Sequence, residues 1–191
     1  MTMANARPQF SPLSARRLWS LAIYAVLLLL PQLPRAAAQR TLDPLNNAEI
    51  DELRDTRDEP DKRLKLFVNF AQARLTSIDE VLADSKTPAA DKPDKIHDLL
   101  QDFLSIYDEL GDNLDMYIGR KSDLRKPLKD VVQGDTDFRA RLRRLKDATT
   151  DPAAEKQYGF VLDNAIDAVN SGADEHRQML AQQQSASHKN K

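Results

Sequence analysis

The chain has 191 residues and a formal net charge of −2, and it contains 30% charged residues, five glycines and no cysteine. The lack of cysteine excludes disulfide bonds, thiol catalysis, thiolate metal sites and a lipid-modified cysteine. No N-x-S/T acceptor for N-linked glycosylation occurs either. Both absences fit a bacterial periplasm better than a eukaryotic secretory route.

The first 38 residues have the pattern of an export signal. They carry four basic residues and no acidic one, then an apolar run from Leu21 to Leu30 and three alanines at positions 36–38. This order is typical of a signal peptide that is cleaved at an A-x-A site. Ten apolar residues rise only about 15 Å as a helix, roughly half of a bilayer core, so no permanent membrane span is expected. We predict a cleaved signal peptide at 1–38 and a periplasmic or secreted mature chain.

Two alternatives remain for this segment. Arg16 and Arg17 permit a twin-arginine signal, the export route of proteins that fold before they cross the membrane. Leu13 and Leu18 lie just upstream of the apolar run and can lengthen it, which would favour an uncleaved N-terminal anchor.

Residues 39–191 number 153, the usual size of one domain, and they hold 24 basic and 30 acidic side chains, a net charge of −6. This acidic balance argues against nucleic acid as a partner.

Four segments have apolar residues at every third or fourth position. The four stripes run from Leu64 to Leu82, from Ile96 to Tyr117, from Leu124 to Leu145 and from Tyr158 to Met179. This spacing puts the apolar residues on one face of a helix, and no segment shows the period of two that indicates a strand. We predict an all-α fold, an antiparallel four-helix bundle over residues 39–181 with a short N-terminal helix capped by Asn46 or Asn47. Residues 182–191 are predicted to form a disordered polar tail.

The boundary between the second and third stripes determines the topology. Residues 91–119 hold eight acidic and two basic residues, whereas residues 120–146 hold ten basic and four acidic ones. We predict a turn in which Gly119 is the left-handed C-terminal residue and Asp123 the next N-cap, so that the acidic helix packs beside the basic one as an antiparallel hairpin. One long helix over residues 91–147 is the alternative, because the stripe keeps its phase across the glycine.

Other breaks follow from proline, glycine and capping residues. A loop is predicted from Asp84 to Pro93, and Asp151 followed by Pro152 fits the start of the last helix. Gly134-Asp135 predicts a kink, because Asp135 stands where the stripe requires an apolar residue.

Two histidines are the candidate ligand positions. His97 follows Asp94 by three residues, and a carboxylate and an imidazole one turn apart can share a metal ion. We expect no metal there, because His97 should lie at the solvent edge of its helix. His176 lies on the last apolar stripe near Met179, and a histidine facing a methionine or tyrosine across a bundle is a haem-ligand arrangement. Since no C-x-x-C-H attachment is present, we expect no cofactor and interpret His176 as a histidine near a fraying end of the bundle.

Charged clusters are interpreted as surfaces. The acidic residues between positions 94 and 115 lack the D-x-D-x-D-G spacing of a calcium loop, so they are expected to be solvated. The basic run from Arg139 to Lys146 is expected to pair with the acidic helix, and anionic lipid headgroups or envelope polymers are its alternative partners.

No catalytic motif is present. With three histidines, no glycine-rich phosphate loop and no H-E-x-x-H, the chain lacks the patterns of nucleophilic, phosphoryl or metal chemistry. We predict a non-enzymatic interaction module of the cell envelope that binds another envelope protein, as a monomer or small homo-oligomer. The segment with Ala173, Met179 and Leu180 is the expected protruding contact. The alternatives are a haem- or metal-binding bundle centred on His176 and a hydrolase with buried carboxylates of shifted pKa.

Overall fold

The computed structural model describes residues 43–189, and every regular element in this range is helical, which confirms the all-α prediction. The helices are α1 (Asn47–Asp55), α2 (Pro60–Ala83), α3 (Lys92–Gly119), α4 (Pro127–Ala148) and α5 (Pro152–Lys189), with a 3-10 turn at Ala89–Asp91. The predicted signal peptide at 1–38 lies outside the described residues. None of the helices described here is both long and apolar enough to cross a membrane.

The helices begin at the residues that sequence chemistry favours. Asn46 caps α1 in a reciprocal capping box, in which its side chain accepts from the Glu49 backbone and the Glu49 carboxylate accepts from the Asn46 backbone. Pro60, Pro127 and Pro152 open α2, α4 and α5, where the missing N–H of proline costs no hydrogen bond. The predicted N-caps of α1 and α5 are therefore confirmed, the latter by a hydrogen bond from Ala153 N to the Asp151 side chain.

The four long helices pack in the order α2, α3, α5, α4 around a shared core. Side-chain contacts show that α2 and α3 are antiparallel, as are α4 and α5, whereas α2 and α4 run parallel. For α2 and α3 the contacts are Arg63–Asn113 and Arg74–Asp102. For α4 and α5 they are Asp135–His176 and Lys146–Asp163. For α2 and α4 they are Val68–Gly134 and Thr76–Arg141. It follows that α3 and α5, which also pack together, run parallel.

The predicted hairpin of α3 and α4 is partly wrong. The chain does turn between them, at residues 120–126, so the alternative of one long helix is excluded. However, these two fully described helices face each other across the core, and no Cα atom of one lies within 8 Å of a Cα atom of the other. Their contact lies inside the core, where the rings of Phe103 and Phe138 meet edge to face at 5.4 Å between centroids and the Tyr107 hydroxyl donates to Asp135.

Apolar burial explains why the acidic helix does not lie beside the basic one. An exposed ion pair contributes about 0–1 kcal/mol, whereas burying one large apolar side chain contributes about 1.5–3 kcal/mol. The charges find other partners. Asp102 of α3 lies 3.9 Å from Arg74 of α2, and Arg141 of α4 lies 3.7 Å from Asp79 of α2. Lys146 of α4 pairs with two carboxylates of α5.

The connection between α3 and α4 differs from the prediction in its details. Gly119 is the last helical residue of α3 and does not have a positive φ; Lys121 does, at 59°. Asp123 is not the N-cap of α4, because its carboxylate accepts hydrogen bonds from the Arg125 backbone and side chain. Helix α4 begins only at Pro127.

Gly134 and Asp135 do not interrupt α4. A Cβ atom at Gly134 would lie 2.9 Å from Val68 Cγ1, so the glycine permits a close approach of α4 and α2. Asp135, whose place on the apolar stripe predicts a kink, instead has hydrogen-bond partners inside the core.

Helix α5 is longer than predicted. The predicted tail, residues 182–191, is helical through Lys189, because its three glutamines and one alanine are good helix formers and no burial is needed to extend the helix. Residues 190 and 191 lie outside the described range, and the division at residue 181 remains a prediction. Ala173 does not protrude as expected but is buried, and Met179 and Leu180 pack against the core.

Candidate functional site

Three polar side chains from three helices meet inside the core. Asp135 of α4 is 1% exposed, and its two carboxylate oxygens have separate partners. The Tyr107 hydroxyl of α3 donates to Oδ1 at 2.8 Å, and His176 Nδ1 of α5 lies 2.9 Å from Oδ2. We call these residues the Tyr-Asp-His cluster.

Helical spacing places each member of the cluster at the core. Asp135 falls between Val131 and Phe138 on the buried face of α4, and His176 follows Ala173 by three residues on α5. Each therefore points inward although it is polar. Burial without hydrogen bonds would be costly, and the cluster avoids that cost because its members are bonded to one another.

Close packing fixes the position of the tyrosine. A Cβ atom at Gly172 would lie 2.4 Å from the Tyr107 hydroxyl oxygen, so the lack of a side chain on α5 creates the space for this group. The ring of Phe103 stacks on Tyr107, and Phe138 meets Tyr107 edge to face. The His176 ring lies 6.1 Å from Tyr107 between centroids.

The electrostatic environment keeps the tyrosine protonated. Burial raises the pKa of Tyr107 far above its ordinary value, and the charge and hydrogen bond of Asp135 raise that pKa further. Glu175 adds a smaller increase, which Arg139 partly opposes. A pKa raised in this way keeps the hydroxyl protonated, so Tyr107 donates to the carboxylate.

The carboxylate also orients the imidazole. An ionised carboxylate only accepts hydrogen bonds, so beside an ionised Asp135 the Nδ1 atom of His176 is the donor and Nε2 is the atom left for another ligand. Metal-binding histidines are commonly held by a carboxylate in this way.

Met179, the predicted companion of His176, is partly buried against the core. Across residues 43–189, no group of three or more His, Asp or Glu side chains is arranged to hold a metal ion.

The second predicted pair is not assembled. His97 Nδ1 lies 3.3 Å from Asp98 rather than from Asp94, and its Nε2 lies 3.5 Å from the Gln101 amide. The His97 side chain is 29% exposed and that of Asp98 is 81% exposed, so this pair is at the surface.

The sequence predicts His176 on an apolar stripe near a fraying end of the bundle, whereas the structure buries it among polar partners. Asp135 predicts a kink by its place on an apolar stripe, and Tyr107, which lies on the stripe from Ile96 to Tyr117, has no predicted polar role. The available signal was that two polar residues, on different stripes, both required burial. Polar side chains that are buried away from water are normally hydrogen-bonded, so two of them on facing helices are candidate partners.

Comparisons with protein families, curated proteins and solved structures found no match to this chain.

Proposed function

We propose that this chain is an exported four-helix-bundle protein that acts as a non-enzymatic interaction module of the bacterial cell envelope. Residues 1–38 are its cleaved signal peptide, and α2 to α5 are the bundle. Its partner is another envelope protein rather than a nucleic acid, and the module itself is a monomer or small homo-oligomer. The sequence pattern of residues 1–38 supports export, and the surface of α5 supports contact.

The observation that carries this proposal is Phe160. Its side chain is 80% exposed on the outer face of α5, whereas the other exposed large apolar residues described, Leu82 and Ile118, are 43% and 36% exposed. Its neighbours one turn away, Lys156 and Asn164, are exposed and polar. Aromatic side chains surrounded by polar ones are typical anchors of protein interfaces. Covering this ring would contribute about 3 kcal/mol before the costs of association.

The interior supports a non-enzymatic role. Asp135 has the most deeply buried carboxylate within residues 43–189, and both of its oxygens are engaged, one by Tyr107 and one by His176. A catalytic acid or base needs an oxygen or nitrogen within hydrogen-bond reach of a substrate. The Asp135 oxygens do not meet that requirement, since both already accept from the protein.

Site-specific photocrosslinking tests the contact. The full chain with a photoreactive phenylalanine at position 160 is expressed in its own host and irradiated in intact cells. A matched chain carries the photoreactive residue at Ala140, an exposed position on α4. We expect one discrete adduct from position 160 and none from position 140. Equal adducts from both positions, or none from position 160, would contradict a contact through Phe160.

The Asp135–His176 hydrogen bond favours a second candidate, a bundle that binds haem or a metal at His176. The carboxylate fixes the imidazole with Nε2 available, as in many metal sites. The test is a visible absorption spectrum of the chain purified from its host, compared with that of His176→Ala. A strong Soret band in the first protein that disappears in the second would favour this candidate over the interaction module.

A further inference from the structure

Helix α2 has a second buried face beside the stripe that runs from Leu64 to Leu82. Arg63, Phe67, Phe70 and Arg74 follow one another at steps of four, three and four residues, so they share a face of the helix. Phe67 is 1% and Phe70 is 7% exposed. Helix α1 packs against α2, and its Leu53, 6% exposed, belongs to the same apolar cluster as these two rings.

The neighbouring helix α3 completes a groove. Asp102, Ile106 and Asn113 share a face of α3 by their spacing. Asp102 lies 3.9 Å from Arg74, and Asn113 accepts a hydrogen bond from Arg63 at 2.7 Å. Ile106, between them, is fully buried. We call this region the α1 groove, with Phe67, Phe70 and Ile106 as its apolar residues and Arg63 and Arg74 at its ends.

The arginine at one end binds an acidic side chain. Arg74 donates from both terminal nitrogens to the two oxygens of Glu49, at 2.8 and 2.6 Å, and donates again to the Pro44 carbonyl. Glu49 is 8% exposed, so this bidentate pair is shielded from water. Paired geometry and shielding make such an interaction both strong and specific for a carboxylate.

The other end binds carbonyl groups of the main chain. Arg63 donates to the Leu53 carbonyl at the end of α1, and the Tyr117 hydroxyl donates to the Arg57 carbonyl at 2.8 Å. Any helix supplies free carbonyls at its C-terminus. The two side chains that α1 buries are a glutamate in its first turn, Glu49, and a leucine four residues later, Leu53.

Helix α1 is suited to leave the groove. It has nine residues, and helices of this length are not stable alone in water, so α1 is helical because it is docked. Its hydrogen bonds to α2 involve Arg63 and Arg74, whereas Leu64 and Leu75 lie on a different face of α2 by their spacing. Release of α1 would thus leave the packing of the four long helices in place, as in other local openings of native proteins.

We propose that the α1 groove is a helix-docking site that α1 keeps closed, and that the partner inserts an amphipathic helix with the same Glu-x-x-x-Leu pattern in its place. Charge complementarity identifies the occupant, because the arginines require a carboxylate at one end and a helix C-terminus at the other. This inference rests on the proposed role as an interaction module and specifies how the partner is recognised.

Peptide binding to a protein with a released α1 tests the proposal. The full exported chain with Glu49→Gln and Leu53→Ala is titrated with a fluorescent peptide of residues 43–58, and anisotropy is measured. We expect at least tenfold tighter binding than to the wild-type chain, whose groove is filled. The tighter binding should be lost when Arg74→Ala is added to the released chain. A peptide that itself carries Glu49→Gln and Leu53→Ala should not bind. Asp51→Asn, an exposed position of α1, is the matched control and should behave as wild type.

Three results would overturn the proposal. They are equal binding to wild-type and released chains, binding that does not require Arg74, and dimerisation of the released chain without peptide, which would make a second copy the occupant. Hydrogen exchange of the wild-type chain tests the proposal independently, so that it can still be decided if the variant does not fold. Amides of α1 should exchange at least tenfold faster than those of α2, and exchange of both helices at one rate would contradict a separable α1.

Failure of this proposal is distinguishable from failure of the interaction module. An adduct at Phe160 without peptide binding in the groove would retain the module and reject the groove as its recognition site. Peptide binding without an adduct at Phe160 would retain the groove and reject contact through the outer face of α5.

Discussion

At the Tyr-Asp-His cluster, one buried carboxylate joins side chains of three helices. Asp135 accepts from Tyr107 and is paired with His176, so removing it leaves two buried polar groups without that partner. The cost of such a removal exceeds the value of the bonds themselves, because the remaining groups lose the solvation that they have in the unfolded chain.

We expect Asp135→Ala to lower the free energy of unfolding by about 3 kcal/mol. Asp137→Ala, at an exposed position on the same helix, is the control and should change it by about 0.5 kcal/mol or less. Urea denaturation followed by circular dichroism measures both. A loss of under about 1 kcal/mol for Asp135→Ala would show that water or rearrangement satisfies Tyr107 and His176.

Two glycines provide a matched test of the packing around Tyr107. A Cβ at Gly172 would lie 2.4 Å from the tyrosine hydroxyl, whereas a Cβ at Gly111, also within a helix, would have no neighbour within 4 Å. We expect Gly111→Ala to stabilise by about 0.5–1 kcal/mol through helix propensity. Gly172→Ala should destabilise by about 1–2 kcal/mol, because overpacking outweighs the same gain. Thermal unfolding of both variants checks this, and equal stabilisation would mean that Tyr107 moves freely.

At the scale of single elements, α1 depends on an ionised glutamate. Burial alone would raise the pKa of Glu49, but hydrogen bonds from Arg74 and the Asn46 backbone outweigh it and hold that pKa below its ordinary value. A depressed pKa in the folded chain contributes stability that is complete above the unfolded value near 4.5 and is lost as pH falls below it. Asp102, on the other side of Arg74, has a pKa raised by burial and contributes in the opposite direction.

We expect protection of the α1 amides from hydrogen exchange to fall as pH decreases below about 4.5, after correction for the intrinsic exchange rate. Glu49→Gln should show low protection at neutral pH and little further loss on acidification. Protection in Asp51→Asn, whose carboxylate is exposed, should follow the wild-type curve. A pH dependence that survives in Glu49→Gln would assign the effect to Asp102 or to another carboxylate.

At the scale of the whole molecule, the sequence predicts where the helices lie along the chain better than it predicts which helices pack side by side. The stripe from Leu64 to Leu82 predicts α2 to within a few residues, because apolar periodicity and proline are local signals. The groove under α1 is not predicted, because Phe67 and Phe70 lie off that stripe. The pairing of α3 with α4 was inferred from charge, whose contribution at the surface is small compared with apolar burial.

The arrangement of the helices gives a final prediction, which pairs of introduced cysteines can test. Because the chain has no cysteine of its own, the introduced thiols are the only ones present. Asp79 and Arg141 lie side by side on the parallel helices α2 and α4. We expect Asp79→Cys with Arg141→Cys to be joined by a short bis-maleimide within one chain. Asp115→Cys with Lys129→Cys, which would be adjacent if α3 and α4 formed a side-by-side hairpin, should remain unlinked. Mass spectrometry of proteolytic fragments distinguishes the two outcomes, and linkage of the second pair alone would restore the hairpin.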